Sequence, residues 1–161
     1  QGRANPPVND KERTLRRPVR MPNDFADGWA ASKDASSSVI SLALPSARWP
    51  RGAKEKIDGV GTIVKVVIYG WWGSAQTAPN ITLGWLPSGS ESLTPSSSAT
   101  TLGGRTRTAW TKTFSPAYAF PSTPDAGTWT LTFAGPPSQA VRDALVELWV
   151  TFEYTVKLQV P

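Results

Sequence analysis

The sequence predicts an all-β protein, an antiparallel sandwich of roughly six to eight strands preceded by a basic N-terminal arm. Three observations support this prediction: a long alternating segment at residues 145–161, shorter alternating segments separated by turn residues, and positive charge concentrated before residue 21. The chain has 161 residues, enough for one domain with its own hydrophobic core. We therefore expect a basic arm at residues 1–24 and a sandwich domain at residues 25–161.

Residues 145–161 carry the strongest strand signal. Every even position from Val146 to Val160 is apolar or aromatic, whereas the odd positions are mostly polar. A period of two places the two sets on opposite faces of a strand. We therefore expect one long strand whose even-numbered face lies in the core, with Trp149 on the other face.

Shorter strands are predicted upstream of this segment, because β-branched and aromatic residues alternate there between turn residues. They lie at residues 38–44, 61–72, 81–86, 106–114 and 128–133. Within the second of them, Val64, Val66 and Ile68 share one face and Trp71 lies on the other. Serine- and threonine-rich stretches at 36–38 and 96–101 are predicted to be exposed loops.

Helix is predicted at only two places. One is residues 138–144, where Ser138 can act as the N-cap. The other is a marginal turn or two through Arg17 in the arm, which Pro18 would end.

Most of the net charge lies in the arm. Residues 1–20 hold six basic and two acidic side chains, a net charge of +4 out of +5 for the whole chain. Four prolines and few apolar residues predict that the arm is flexible when free. Two roles fit such a tail, solubility alone or binding to a polyanion, and the nearly neutral β-domain behind it favours the second. The candidate phosphate-binding residues of the arm are Arg3, Lys11, Arg13, Arg16, Arg17 and Arg20.

A second basic cluster follows the first predicted strand. It holds Arg48, Arg51, Lys54 and Lys56, with Glu55 as the only acidic residue among them. These side chains could bind RNA phosphates, or they could form an exposed loop with ion pairs to Asp58.

The composition excludes many enzyme classes, because the chain has neither histidine nor cysteine. Histidine-dependent triads, thiolate metal sites and disulfides are therefore impossible. Asp24 and Asp27 could bind a cation, but loop capping is the role that such carboxylates more often have. We predict no catalytic residue, no metal and no cofactor, and no apolar run reaches the length of about 18 residues that a membrane span needs.

One segment resembles a known family. The run Gly84-Trp85-Leu86-Pro87 ends a predicted strand, and the Gly103-Gly104 turn follows. This pattern is similar to that of the coat proteins of tymoviruses and their relatives, and the final strand more distantly resembles that of sobemovirus and tombusvirus shell domains. The resemblance implies an eight-stranded antiparallel jelly roll, many copies in a closed icosahedral shell, and single-stranded genomic RNA as partner. It also implies localisation in the virion, with assembly in the host cytoplasm.

The chain has eight tryptophans, most of which we expect in the core. Trp71 and Trp149 lie on faces opposite the predicted core faces, and we predict that they form a subunit interface. Base stacking is the rival explanation, but the tryptophans are not interleaved with basic residues along the sequence.

The predicted function is that of a capsid protein, not an enzyme, which packages single-stranded RNA through sequence-independent phosphate contacts. The alternative is a β-sandwich carbohydrate- or surface-binding module. In that case Trp71, Trp72 and Trp85 would be exposed and would stack on sugar rings.

Overall fold

The chain folds into two antiparallel β-sheets that pack face to face. The computed structural model describes residues 11–33, 39–43, 62–86, 89–102, 105–119, 128–135 and 137–158. The strands of this part of the chain are β1 (Lys11–Arg20), β2 (Val39–Ala43), β3 (Thr62–Trp72), β4 (Ile81–Leu86), β5 (Gly89–Leu93), β6 (Ser96–Leu102), β7 (Arg105–Ala119), β8 (Thr128–Phe133) and β9 (Leu145–Leu158). The helices are α1 (Met21–Asp24), α2 (Ala26–Ser32) and α3 (Gln139–Ala144). None of these three helices is long and apolar enough to cross a membrane.

The sheets have five and four strands. The first has the order β1-β9-β3-β7-β6 and the second the order β2-β8-β4-β5. The all-β prediction is confirmed. The described residues form nine strands, one more than the eight that the resemblance implies. Six of them fall where the sequence predicts strands, and the other three are β1, β5 and β6.

The core lies between the two sheets. It receives Val66, Ile68 and Trp110 from the first sheet and Leu83 and Leu131 from the second, each fully buried. Aromatic rings join the layers as well: the centroids of Trp129 in β8 and Phe152 in β9 lie 5.2 Å apart with their planes at 70°. Edge-on ring contacts of this kind stabilise beyond the area that they bury.

Local sequence signals located most strands and one helix correctly. β4 and β8 have the predicted bounds, and β2, β3 and β9 lie within the predicted segments. Ser138 caps α3, because its Oγ accepts a hydrogen bond from Val141 N at 3.3 Å. The predicted loop at 96–101 was wrong: β6 occupies it and pairs with β7.

At two β-bulges the side chains face the opposite way from the predicted alternation. One, between Ile63 and Lys65, puts Ile63 in the core and leaves Val64 half-buried, the reverse of the predicted alternation. The other lies where Trp71 and Trp72 pair with the start of β9, and there Leu145 is buried while Val146 is 37% exposed. An extra residue at a bulge reverses the facing of the residues beyond it, so a strict period of two fails at both places.

The prediction of a helix through Arg17 was wrong, because this segment is β1. Its ten residues pair with β9, from Lys11 opposite Leu158 to Arg20 opposite Trp149. Val19 is 1% exposed, and Met21 after it is fully buried in the core. A short isolated helix is marginal, whereas β9 is long enough to offer this segment a full ladder of backbone hydrogen bonds. Residues 11–24 of the predicted arm therefore contribute to the sandwich, and residues 1–10 lie outside the described part.

Candidate functional site

A groove lies on the face of the five-stranded sheet that points away from the core. We call it the outer-face groove, and its volume is about 450 Å³. This volume is within the range of small-molecule binding sites. The lining is mostly aromatic and charged: Pro18, Tyr69, Trp71, Arg105, Arg107, Glu147, Trp149 and Thr151.

Strand register brings these side chains together from four neighbouring strands. Trp71 in β3 lies opposite Arg107 in β7 on one side and Glu147 in β9 on the other. Tyr69 lies opposite Trp149 in the same way. Because side chains two positions apart share a face, Tyr69 and Trp71 both project outward, and the groove runs across the sheet.

Arginine side chains lie over the aromatic rings of the groove. The guanidinium carbon of Arg107 is 5.0 Å from the ring centroid of Tyr69 and 5.7 Å from that of Trp71. That of Arg20, at the end of β1, is 5.9 Å from the ring of Trp149. These distances are those of cation–π contacts, each worth about 0.5–1 kcal/mol at an exposed site. The arginines and aromatic rings are therefore interleaved in space although they are not interleaved in the sequence.

The electrostatic balance of this face is positive. Among the side chains that the structure describes, the outer face of the sheet carries two carboxylates, Glu147 and Glu153. Glu147 forms an ion pair with Arg20, and Glu153 lies 4.0 Å from Arg16 Nε. The cations of the same face outnumber them: Arg16, Arg20, Lys65, Arg105 and Arg107. The face therefore favours an anionic partner.

The groove also contains an unsatisfied donor. The indole Nε1 of Trp149 is buried and has no hydrogen-bond partner, a state that the described part of the chain shows otherwise only at Arg17 Nε. A buried donor without an acceptor costs about 1–3 kcal/mol.

The structure separates the predicted phosphate-binding residues of the arm into different environments. Arg16 and Arg20 lie on the outer face, and Arg20 is beside the groove. Arg17, between them, lies on the core-facing side opposite Phe152, where its Nε is buried. Lys11 and Arg13 are in β1 opposite Leu158 and Val156. The remaining predicted residues, Arg3, Arg48, Arg51, Lys54 and Lys56, lie outside the described residues.

Trp71 and Trp149 both lie on the outer face, as the alternation predicted, and a subunit interface there stays a prediction. The proposed sugar-binding set of Trp71, Trp72 and Trp85 was wrong. Trp72 is 2% exposed and donates from Nε1 to Thr108 Oγ1 at 3.0 Å. Trp85 belongs to the other sheet and packs edge-on against Phe114, with centroids 4.9 Å apart.

Sequence reasoning gave no functional role to most residues of the groove, among them Tyr69, Arg105 and Arg107. Tyr69 has the same alternation as Trp71, so the pattern already placed both on one face. Arg105 and Arg107 could not be assigned to the groove, because nothing local shows that β7 pairs with β3 at the register that puts Arg107 beside Trp71.

A second polar cluster lies between α2 and α3. Arg142 is buried and donates to the backbone oxygens of Ser32 and Pro137, at 2.9 and 3.0 Å. Lys33 Nζ donates to the backbone oxygen of Arg142 at 2.8 Å, and burial lowers the pKa of Lys33. The adjoining cavity measures about 10 Å³, room for no more than one water molecule. Because its donors are bound to backbone carbonyls, this cluster joins the two helices and is not a ligand site.

No metal-binding group of three or more acidic side chains is present in the described part of the chain. Comparison with protein-family models, with curated proteins and with solved structures gives no match to this chain.

Proposed function

We propose that this chain is a jelly-roll coat protein, many copies of which assemble into a closed icosahedral shell around single-stranded RNA. The observation that carries the proposal is the strand order. With β6 set aside, eight strands divide into β1-β9-β3-β7 and β2-β8-β4-β5. Most consecutive strands then alternate between the two sheets, and this alternation supports a jelly roll, which is built from two Greek keys. Jelly rolls of this kind recur in viral capsids.

The outer face supports RNA as the partner. Its cationic side chains outnumber its carboxylates, and Arg16 and Arg105 are exposed. A polyanion bound to such a face releases counterions, so the binding needs no particular base sequence. The four basic residues at positions 48–56, against one acidic residue, would add to the electrostatic attraction of the chain for RNA.

A carbohydrate-binding module is the second candidate. Three aromatic side chains, Tyr69, Trp71 and Trp149, line one groove on the face of a sandwich, and aromatic rings are suited to stacking on sugars. Against it, arginine guanidinium groups lie over all three rings. A neutral sugar would gain nothing from the charge of these groups, whereas an anionic ligand would.

The test is assembly of the purified chain. Size-exclusion chromatography and electron microscopy should show closed particles, and nuclease treatment should leave a protected RNA inside them. A monomer that retains no nucleic acid and binds neutral oligosaccharides would contradict the proposal and support the second candidate.

A charge variant tests the assigned face. The double substitution Arg16→Gln with Arg105→Gln removes two exposed cations, so the slope of log binding constant against log salt should become shallower by about 1.4 for single-stranded RNA. Lys112→Gln is the matched control, because Lys112 lies on the core side and pairs with Glu91 at 3.1 Å. This control should leave the slope unchanged. If the control and the double substitution change the slope equally, the outer face is not the RNA-binding face.

A further inference from the structure

We propose that the outer-face groove binds the bases of single-stranded RNA by stacking, so that this sheet face recognises RNA and does not form a contact between subunits. This inference rests on the proposed function for its ligand, and it adds a defined site to a binding mode that otherwise needs only charge.

The first support is the arrangement of rings and guanidinium groups. Tyr69 and Trp71 are two positions apart on β3, and Trp149 is the cross-strand neighbour of Tyr69. Each ring has an arginine within 6 Å of its centroid. Unpaired bases are bound in proteins by this pair of surfaces, aromatic faces and guanidinium planes. The groove is also large enough for a nucleobase with its ribose.

The second support is charge. Arg105 and Arg107 line the groove and Arg20 lies beside it, whereas Glu147 is the one carboxylate among the lining residues that the structure describes. Glu147 is already paired with Arg20. A phosphate that follows a stacked base would therefore meet cationic side chains, which gives a nucleotide an advantage over a neutral ligand of the same size.

A second copy of the chain fits this face less well. A twofold contact buries the same surface patch of both subunits, so the arginines of one groove would meet those of the other. Like charges in such a contact cost free energy unless anions lie between them.

The experiment measures how strongly two variants of Trp71 bind two different polyanions. Trp71→Leu keeps an apolar side chain but removes the ring, whereas Trp71→Phe keeps a ring. The probes are an oligoadenylate of about ten nucleotides and an inorganic polyphosphate of matched charge, and binding is followed by tryptophan fluorescence at constant salt.

We expect Trp71→Leu to weaken oligoadenylate binding roughly 5- to 100-fold and Trp71→Phe to retain most of the affinity. Neither substitution should change the affinity for polyphosphate, because polyphosphate has no bases. If Trp71→Leu does not fold, the pair Tyr69→Leu and Tyr69→Phe gives the same comparison on the next ring.

Three results would overturn the inference: equal oligoadenylate affinity of the Leu and Phe variants, equal loss with both polyanions, or a change in self-association of the RNA-free protein with no change in RNA affinity. Particle formation is measured separately. Particles that package RNA equally well with Trp71→Leu would leave the coat-protein proposal intact and refute the groove. Ring-dependent oligoadenylate binding by a protein that forms no particles would support the groove and contradict the coat-protein proposal.

Discussion

Val19→Ala tests whether β1 is an integral strand of the sandwich or part of a flexible arm. The Val19 side chain is 1% exposed and lies opposite Val150 of β9. Alanine removes two methyl-sized groups from this buried position. At about 0.8 kcal/mol for each, plus a term for the cavity that remains, the free energy of unfolding should fall by about 2–3 kcal/mol.

The matched control is Thr14→Ala on the same strand. Thr14 is exposed, and substitutions at exposed positions usually change stability by less than about 0.5 kcal/mol. Urea unfolding followed by tryptophan fluorescence gives both values from the shift of the midpoint. For a chain of this length the Val19→Ala change corresponds to a loss of roughly 4–12 °C in Tm. The proteins are compared at one concentration, because association adds to apparent stability.

If the two variants have the same midpoint, the reasoning fails. Val19 would then not be packed in the folded protein, and residues 11–20 would behave as the unstructured basic arm that their composition predicts. A loss at Val19 that is accompanied by a changed urea slope would mean that the whole strand has detached.

Three further predictions concern the stability of the folded sandwich. Deleting residues 1–20 removes β1 and should give unfolded or aggregated protein, whereas deleting residues 1–10 leaves every described strand in place; circular dichroism and limited proteolysis compare the two, and a stable 1–20 truncation would contradict the fold. Thr108→Val should cost about 1–3 kcal/mol in urea, because the buried indole N–H of Trp72 loses its acceptor, while Thr108→Ser keeps the hydroxyl and should cost much less. Burial raises the pKa of Tyr154 above its ordinary value of 10.0, against a smaller opposing effect of Arg17. The stability that neutral Tyr154 contributes is therefore complete below pH 10 and is lost as pH rises through the raised pKa, so the wild type should lose more stability than Tyr154→Phe when the pH is raised above 10.

The sequence by itself determined the class of fold and the centre of the sheets. In β9, Leu148, Val150, Phe152 and Tyr154 are all buried, as their alternation predicts. A strand with one core face needs a period of two whichever strands are its neighbours. The signal is therefore local and does not depend on the topology. The same is true of the Ser138 cap, which depends on groups within three residues, and of the outward placement of Trp71 and Trp149.

The tertiary structure alone decided the rest, because the deciding contacts join residues far apart in the chain. Composition favoured a flexible arm for residues 11–20, but pairing with β9, more than 120 residues away, makes them a strand. The bulge beside Ile63 depends on the register with two neighbouring strands. The groove depends on register as well: Arg20, Trp71, Arg107 and Trp149 come from four strands, and no sequence pattern shows that these strands are neighbours in the order β1-β9-β3-β7.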